Sequence, residues 1–502
     1  MSDKFLRKDS LPVTLPQSTM SLLRFSREVH GHSRATGWPA VLLSTCFFLT
    51  ISTPSLFAQP GSGHGGGQAR PGGGQAKPGG NQAPGVRRPV TSRLPDDAPA
   101  TEVDRESLPP GYVPPRDIPQ YMKDCKEWTL TNNERPDTKK DMPRFNALKG
   151  AGAQLNGKED TDLIRKVIRS MLADFTKKEN RGKVSKLRED IFVKVLGFPQ
   201  LTQPVKDVIL DALIAEAPTL FDHCLEPRFN AIVLLANLDK VQAVAIPPQP
   251  AVPYFPACTP LLKVLNDPQQ PDEFKIAALV GVVRYAAPVT TNPDIKHKAV
   301  DALLKLLKNP KSSAWLQWRC ADGLGQIGYF KNLANQPVVL TLLREVMNDP
   351  KRDWEVRAHS ARALGRLSLE PAVDLKAVSI EIASFALQMA VEYQKNPKQA
   401  HWQGCFFNLY LTFRPLDADE KKKGWGLMTL VSRPPFAPHS AIVTSVYQQC
   451  LPLVQNVLTP PAAVTLPEAI KNLNDWLKQN SPNGGVNIAP AAEQPPKTKP
   501  PA

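Results

Sequence analysis

The chain has 502 residues, room for two or three ordinary domains or for one long repeat array. An apolar fraction of 42% is enough to build a core, so the chain is not wholly unstructured, while 51 prolines and 29 glycines, unevenly spread, mark part of it as linker. The formal net charge of +15 admits an acidic partner such as nucleic acid, anionic lipid or an acidic polymer, or a diffuse excess on a well-solvated surface.

The first element in chain order is an uncharged apolar run, Ala40 to Ile51, preceded by Arg24, Arg27 and Arg34 and followed by small and polar residues up to Ala58. Basic, apolar and small-residue regions in this order predict a secretory signal peptide over residues 1–58, cut after Ala58 or after Ser55, with Met20 as an alternative start. A spanning helix needs roughly 20 apolar residues, and counting through Ala58 brings the run near that length, so an uncleaved membrane anchor is the rival reading. Either way the body is expected to be exported, to a periplasm or cell envelope or to the medium, and to touch membrane only through an uncleaved N-terminal segment.

Residues 59–118 repeat a Gly-Gly-Gly-Gln-Ala phrase and continue rich in Pro and Asp, with no apolar face to offset the entropy of ordering. They are expected to be a disordered tether, and residues 481–502 a disordered Pro-rich tail. Between them, over 119–480, apolar residues recur at three- and four-residue spacing. Segments of helical length alternate with turns containing Pro, Asn and Asp, and no alternating strand pattern of any length occurs. The body is therefore expected to be all-α.

Within 261–367 three segments align without a gap on Pro268, Pro310 and Pro350, at steps of 42 and 40 residues. Leu261, Leu303 and Leu343 match, as do Val264, Leu306 and Val346, then Leu265, Leu307 and Met347. Asp267, Asn309 and Asp349 precede the prolines. Beyond the turn, Phe274, Leu316 and Val356 match, then Leu279, Ala321 and Ala361, then Gly281, Gly323 and Ala363, then Val282, Leu324 and Leu364. Each copy predicts a first helix that proline ends, and a second whose small residues permit a close crossing. One such hairpin cannot bury both faces, so copies must stack. Glu226–Leu238 resembles a further second helix, and Asn396–Phe413 keeps the turn with bulkier residues.

These copies resemble HEAT repeats, armadillo-like units of this length with an Asp-Pro type turn and a second helix that begins Val-Arg and closes on Ala-Leu-Gly. Val356, Arg357, Ala363, Leu364 and Gly365 carry the likeness best. The resemblance implies a right-handed α-solenoid of stacked hairpins. It also implies a polar ladder between units in which Asp349 and Arg357 take part, with Asp267/Lys275 and Asn309/Gln317 as weaker equivalents.

No catalytic constellation is found. His30, His32 and His64 lie in the expected signal and linker, and His223, His297, His359, His401 and His439 are isolated in sequence. There is no phosphate loop, no Gly-x-Ser-x-Gly elbow and no His-Glu-x-x-His. Without a His-Glu dipeptide, nothing resembles the di-iron HEAT-type hydroxylases. No catalytic residue, cofactor or metal site is therefore expected. Six cysteines follow the apolar run, Cys125, Cys224, Cys258, Cys320, Cys405 and Cys450, none spaced Cys-x-x-Cys. Buried free thiols are the favoured reading over a disulfide framework.

Trp315, Trp318 and Trp354 lie near the turns or the starts of second helices, beside Arg319, Lys351, Arg352 and Arg357. These seven are the candidate partner-binding residues, although packing between repeats would place tryptophans there too. The expected function is an exported, non-catalytic scaffold for a protein or peptide partner. The alternative is a basic solenoid binding nucleic acid, as HEAT-like DNA glycosylases use tryptophan on a basic face. An envelope enzyme is the third reading.

Overall fold

In the computed structural model, residues 126–244, 249–332 and 334–481 are described, all within the unit 108–502. The expected signal or anchor, the expected tether with the start of the body up to residue 125, and the tail from residue 482 lie outside the described residues.

Seventeen helices in chain order make up the described body, which is all-α apart from one short hairpin. An N-terminal group holds α1 (Asp141–Leu148), α2 (Gly157–Ala173), α3 (Val184–Asp190), α4 (Gln203–Glu216) and α5 (Leu225–Ala236). The hairpin pairs β1 (Asp239–Val241) with β2 (Val252–Pro253) in antiparallel sense. Strands this short carry no alternating pattern, so periodicity does not reveal them.

The aligned copies then form three helix pairs: α6 (Cys258–Asn266) with α7 (Asp272–Ala286), α8 (Pro293–Lys308) with α9 (Ala314–Ile327), and α10 (Val338–Asn348) with α11 (Trp354–Leu364). A fourth pair is α12 (Leu375–Lys395) with α13 (His401–Phe413). Two short helices follow, α14 (Ala418–Lys423) and α15 (Leu427–Val431), then α16 (Ser440–Leu458) and α17 (Leu466–Asn480).

The pairs stack in two layers. First helices α6, α8, α10 and α12 pack in succession, and second helices α5, α7, α9, α11 and α13 do likewise. At the C-terminal end α16 and α17 cover α12, and α16 also covers α13. The large apolar residues aligned by sequence, from Leu261, Leu303 and Leu343 through Val282, Leu324 and Leu364, are all buried. In the fourth pair Tyr393 of α12 meets Trp402 and Phe406 of α13 edge-on, so aromatic rings fill a gap that aliphatics fill elsewhere.

The three turns share one geometry. Asp267, Asn309 and Asp349 each leave the first helix with ψ between 109 and 114°. Each side chain accepts the backbone N–H two residues on, at 2.8, 3.0 and 3.0 Å. Asp or Asn before Pro is thus required twice, once by the extended backbone that proline imposes and once by the side-chain acceptor.

The small residues of the second helices meet the neighbouring pair. A methyl group added at Gly281 would lie 2.6 Å from Ala236 of α5 and from Leu261 of α6. One added at Gly325 would lie 2.8 Å from the backbone of Ala363 in α11, and one at Gly365 would collide with the backbone of Thr412 in α13. Close approach within the second layer leaves no room for a side chain there.

Candidate functional site

The seven candidate residues fall into three environments. Arg357 is 1% exposed. Its Nε donates to the Met347 carbonyl at 2.8 Å and its Nη2 to Gln388 at 2.7 Å, while its guanidinium lies 4.3 Å from the Trp354 ring centre and 5.1 Å from that of Phe385. Trp354 completes this nucleus, 5.5 Å from Trp402. Burial lowers the Arg357 pKa to about 10, with nearby Asp349 opposing, so it stays charged at neutral pH. These two side chains hold α10, α11 and α12 together and leave Arg357 no accessible surface.

Arg357 also occupies one position in a recurring column. Gln317 at the equivalent place donates to its own turn, at Ser312 O, at 2.8 Å, and accepts from Arg352 of the next pair at 2.6 Å. Arg228 of α5 donates to its own turn at His223 O, at 3.0 Å, and to Gln270 of the next pair at 3.2 Å. Each of these side chains closes its own turn and reaches the following unit. The expected ladder therefore exists in altered form: Asp349 accepts within its turn and pairs with Arg352 at 3.4 Å, so Arg357 binds a carbonyl instead. Gln317, expected to be a weak member, is a full one. Arg352 thus serves the ladder, with Leu307 O as a further acceptor at 3.1 Å. Lys351 is exposed at the turn.

Trp315, Trp318 and Arg319 form the third environment, partly exposed on the second-helix layer. Positions 315, 318 and 319 share one face of α9. Trp318 stacks on His359 of α11 with ring centres 4.5 Å apart and planes at 23°, and Arg319 lies over the same indole at 4.5 Å. One imidazole ring and one cation thus contact this tryptophan and restrict its rotamers.

A charge network that sequence reasoning missed adjoins it. Arg366 donates to Asp322 at 2.7 Å and to Glu420 of α14 at 2.6 Å. Arg362 reaches Glu420 at 3.3 Å and Asn408 at 3.3 Å, and Gln326 donates to Asp322 at 2.7 Å. The Arg366 guanidinium also lies 4.3 Å from the Trp425 ring centre. Burial pushes the Asp322 carboxyl up, but Arg366 and Arg362 outweigh it and hold its pKa well below the usual carboxylate range. Two arginines meet two carboxylates, so the network is internally neutral. His359 is different: burial drives its pKa down to about 4, Asp322 opposes, and the guanidiniums of Arg362, Arg319 and Arg366 add to the fall. It is neutral at physiological pH.

The network was legible in one way. Counted from the aligned prolines, Arg319 and His359 occupy one position, Asp322 and Arg362 another, and Gln326 and Arg366 a third. Equivalent positions of stacked copies become neighbours, so the opposite charges of Asp322 and Arg362 in one column signal a contact between pairs. Further along the same layer, Phe407 of α13 is 39% exposed beside Gly404, where a methyl group would meet open space.

Chemically, this surface offers an indole and a guanidinium, with the largely buried neutral imidazole of His359 beneath and a neutral ion network nearby. Among the described residues no group of three or more His, Cys, Asp or Glu stands ready for a metal ion. No described helix is long and apolar enough to cross a membrane. A scan against protein-family models finds no match to this chain, and a search of curated proteins finds none either.

Proposed function

We propose that the chain is an exported, HEAT-like α-solenoid that works as a non-catalytic scaffold. A protein or peptide partner docks on the second-helix layer around Trp315, Trp318 and Arg319. The observation that carries this reading is Trp318, partly exposed yet in contact with both the His359 imidazole and the Arg319 guanidinium. A rigid aromatic loses little entropy on binding, one reason Trp is enriched at interface hot spots, where Arg is enriched too. Phe407 extends the apolar character along the layer.

Binding of nucleic acid is the second reading, supported by the pairing of tryptophan with arginine. The protein partner is preferred because Arg362 and Arg366 are neutralised by Asp322 and Glu420 and so contribute little attraction for phosphate.

The test is a photo-cross-linking residue at position 315, with a second at exposed Val193 as control, in the full chain in its own cell. One discrete protein adduct from position 315, lost in W318A and R319A and absent from position 193, is the expected result. No adduct, or equal adducts at both positions, refutes the docking surface. Binding to DNA or RNA that falls steeply with salt refutes the protein partner in favour of nucleic acid.

A further inference from the structure

We propose that the loop joining α13 to α15, residues 414–426, forms with Arg433 a peripheral docking surface for an anionic phospholipid membrane. This contact is separate from the N-terminal apolar run, and the inference does not rest on the scaffold reading.

The loop is closed at its base. A methyl group added at Gly426 would lie 2.7 Å from the Phe413 carbonyl oxygen and 3.1 Å from the carbonyl carbon of Arg414. Compact loops whose ends meet in this way frequently carry function. Glu420 ties the inner side to the array, accepting from Arg366 and Arg362 and from the Leu416 N–H at 2.8 Å. Asp417 accepts the first N–H groups of α14 at 2.9 and 2.8 Å, and Asp419 pairs with Lys422 at 3.1 Å. All three acids of the loop are therefore engaged.

Its cations are not. Arg414, Lys421, Lys423 and Arg433 are exposed, and among the described residues none of the four is in an ion pair. Two of them rest on rings instead: Lys423 Nζ lies 4.6 Å from the Trp425 ring centre, and the Arg414 guanidinium 5.0 Å from that of Tyr447. Gly424, at a left-handed φ of 77°, leaves the space that the Arg433 guanidinium fills, since a methyl group there would collide with it. Like charges are thus held together around one turn, and their repulsion is relieved by anions from outside.

The apolar residues select the anion's source. Leu416 is 53% exposed on the same loop, and Trp425 is partly exposed. Lysine and arginine beside an indole and an exposed aliphatic is the composition of a membrane interface, where cations meet headgroup phosphates and the apolar groups enter the headgroup boundary. A purely anionic partner, such as nucleic acid or an acidic peptide, satisfies the cations but gives Leu416 nothing apolar to enter. A bilayer serves both.

The test is flotation of the full chain, purified from its own cell, with vesicles of phosphatidylcholine alone or with about 30% phosphatidylglycerol. Tighter binding to the mixed vesicles, with the difference erased by high salt, is the expected result. Equal binding to both overturns the proposal. K421Q, K423Q and R433Q are each expected to weaken binding to the mixed vesicles about fivefold, and their combination on the order of 100-fold. Removing three exposed cations from α8 together, in K298Q, K305Q and K308Q, is expected to leave it unchanged. Equal losses in the two triple variants trace the binding to net charge and overturn the site. L416S is expected to weaken binding without altering its salt dependence, and unchanged affinity in L416S overturns the lipid as occupant. Capture on polyglutamate beads without vesicle binding assigns the surface to an acidic protein and likewise overturns it.

Discussion

A buried arginine is hard to tell from a surface one in sequence, and Arg357 shows why. Its charge is compensated by a backbone carbonyl, a glutamine and two ring faces, none of which is acidic. Trp354 is a neighbour one turn back along the same helix, but only the fold brings the Met347 carbonyl, Gln388 and Phe385 to it. His359 is the converse: isolated in sequence, it becomes the stacking partner of Trp318 because two copies bring positions 319 and 359 together. Its pH behaviour follows from burial. The unfolded side chain takes up a proton near pH 6.5 and the folded one only near 4, so between these values the unfolded state holds more protons. Stability therefore falls as pH drops through that window, by about 2 kcal/mol after allowance for partial exposure. Urea titrations at pH 7 and pH 4.5 are expected to show this loss and to show it reduced in H359Q; an unchanged slope counts against the assignment. Below that window Asp322 adds a further loss, since its depressed pKa favours the folded state only while the carboxyl is ionised.

At the scale of elements, the turn and the small residue do separate jobs. The turn repeats because Asp or Asn before Pro specifies one backbone path with its own acceptor, and three copies reproduce it. The small residues set how closely pairs approach. This division was readable from the alignment, since residues at fixed distance from the turn are buried in every copy. What could not be read was the target of each contact: Gly365 meets a backbone more than one helix away in sequence. That gives a sharp expectation. Gly365→Ala forces α11 away from α13, because the Thr412 backbone cannot rotate aside as a side chain would. A loss of about 1–3 kcal/mol is expected in urea unfolding. Gly404→Ala is the control, since its added methyl meets open space and alanine favours a helix, so that variant is expected to be neutral or slightly more stable.

For the whole molecule, a stacked array is held by contacts between neighbours, and its ends need cover. The C-terminal cover is α17, which buries Ile470, Leu473 and Leu477 and ties Trp476 Nε1 to Ser445 at 2.9 Å. Each of those aliphatic side chains contributes roughly 1.5–3 kcal/mol by burial. Deleting residues 466–480 is expected to lower the urea midpoint and speed amide exchange in α12 and α16, while α6 to α9 keep their protection. Uniform loss along the array would show a single cooperative unit instead.

Helical class, the hairpin unit and its buried face were determined by the sequence itself. Proline position, Asx chemistry and apolar spacing act over a few residues, so each leaves a local mark. The contact between Trp318 and His359, the neutral network of Asp322, Arg362, Arg366 and Glu420, and the ladder through Gln317 and Arg357 were decided only by tertiary structure. Those interactions join residues that stacking makes adjacent, and the free energy that selects the stack lies in burial between copies, not within any one of them.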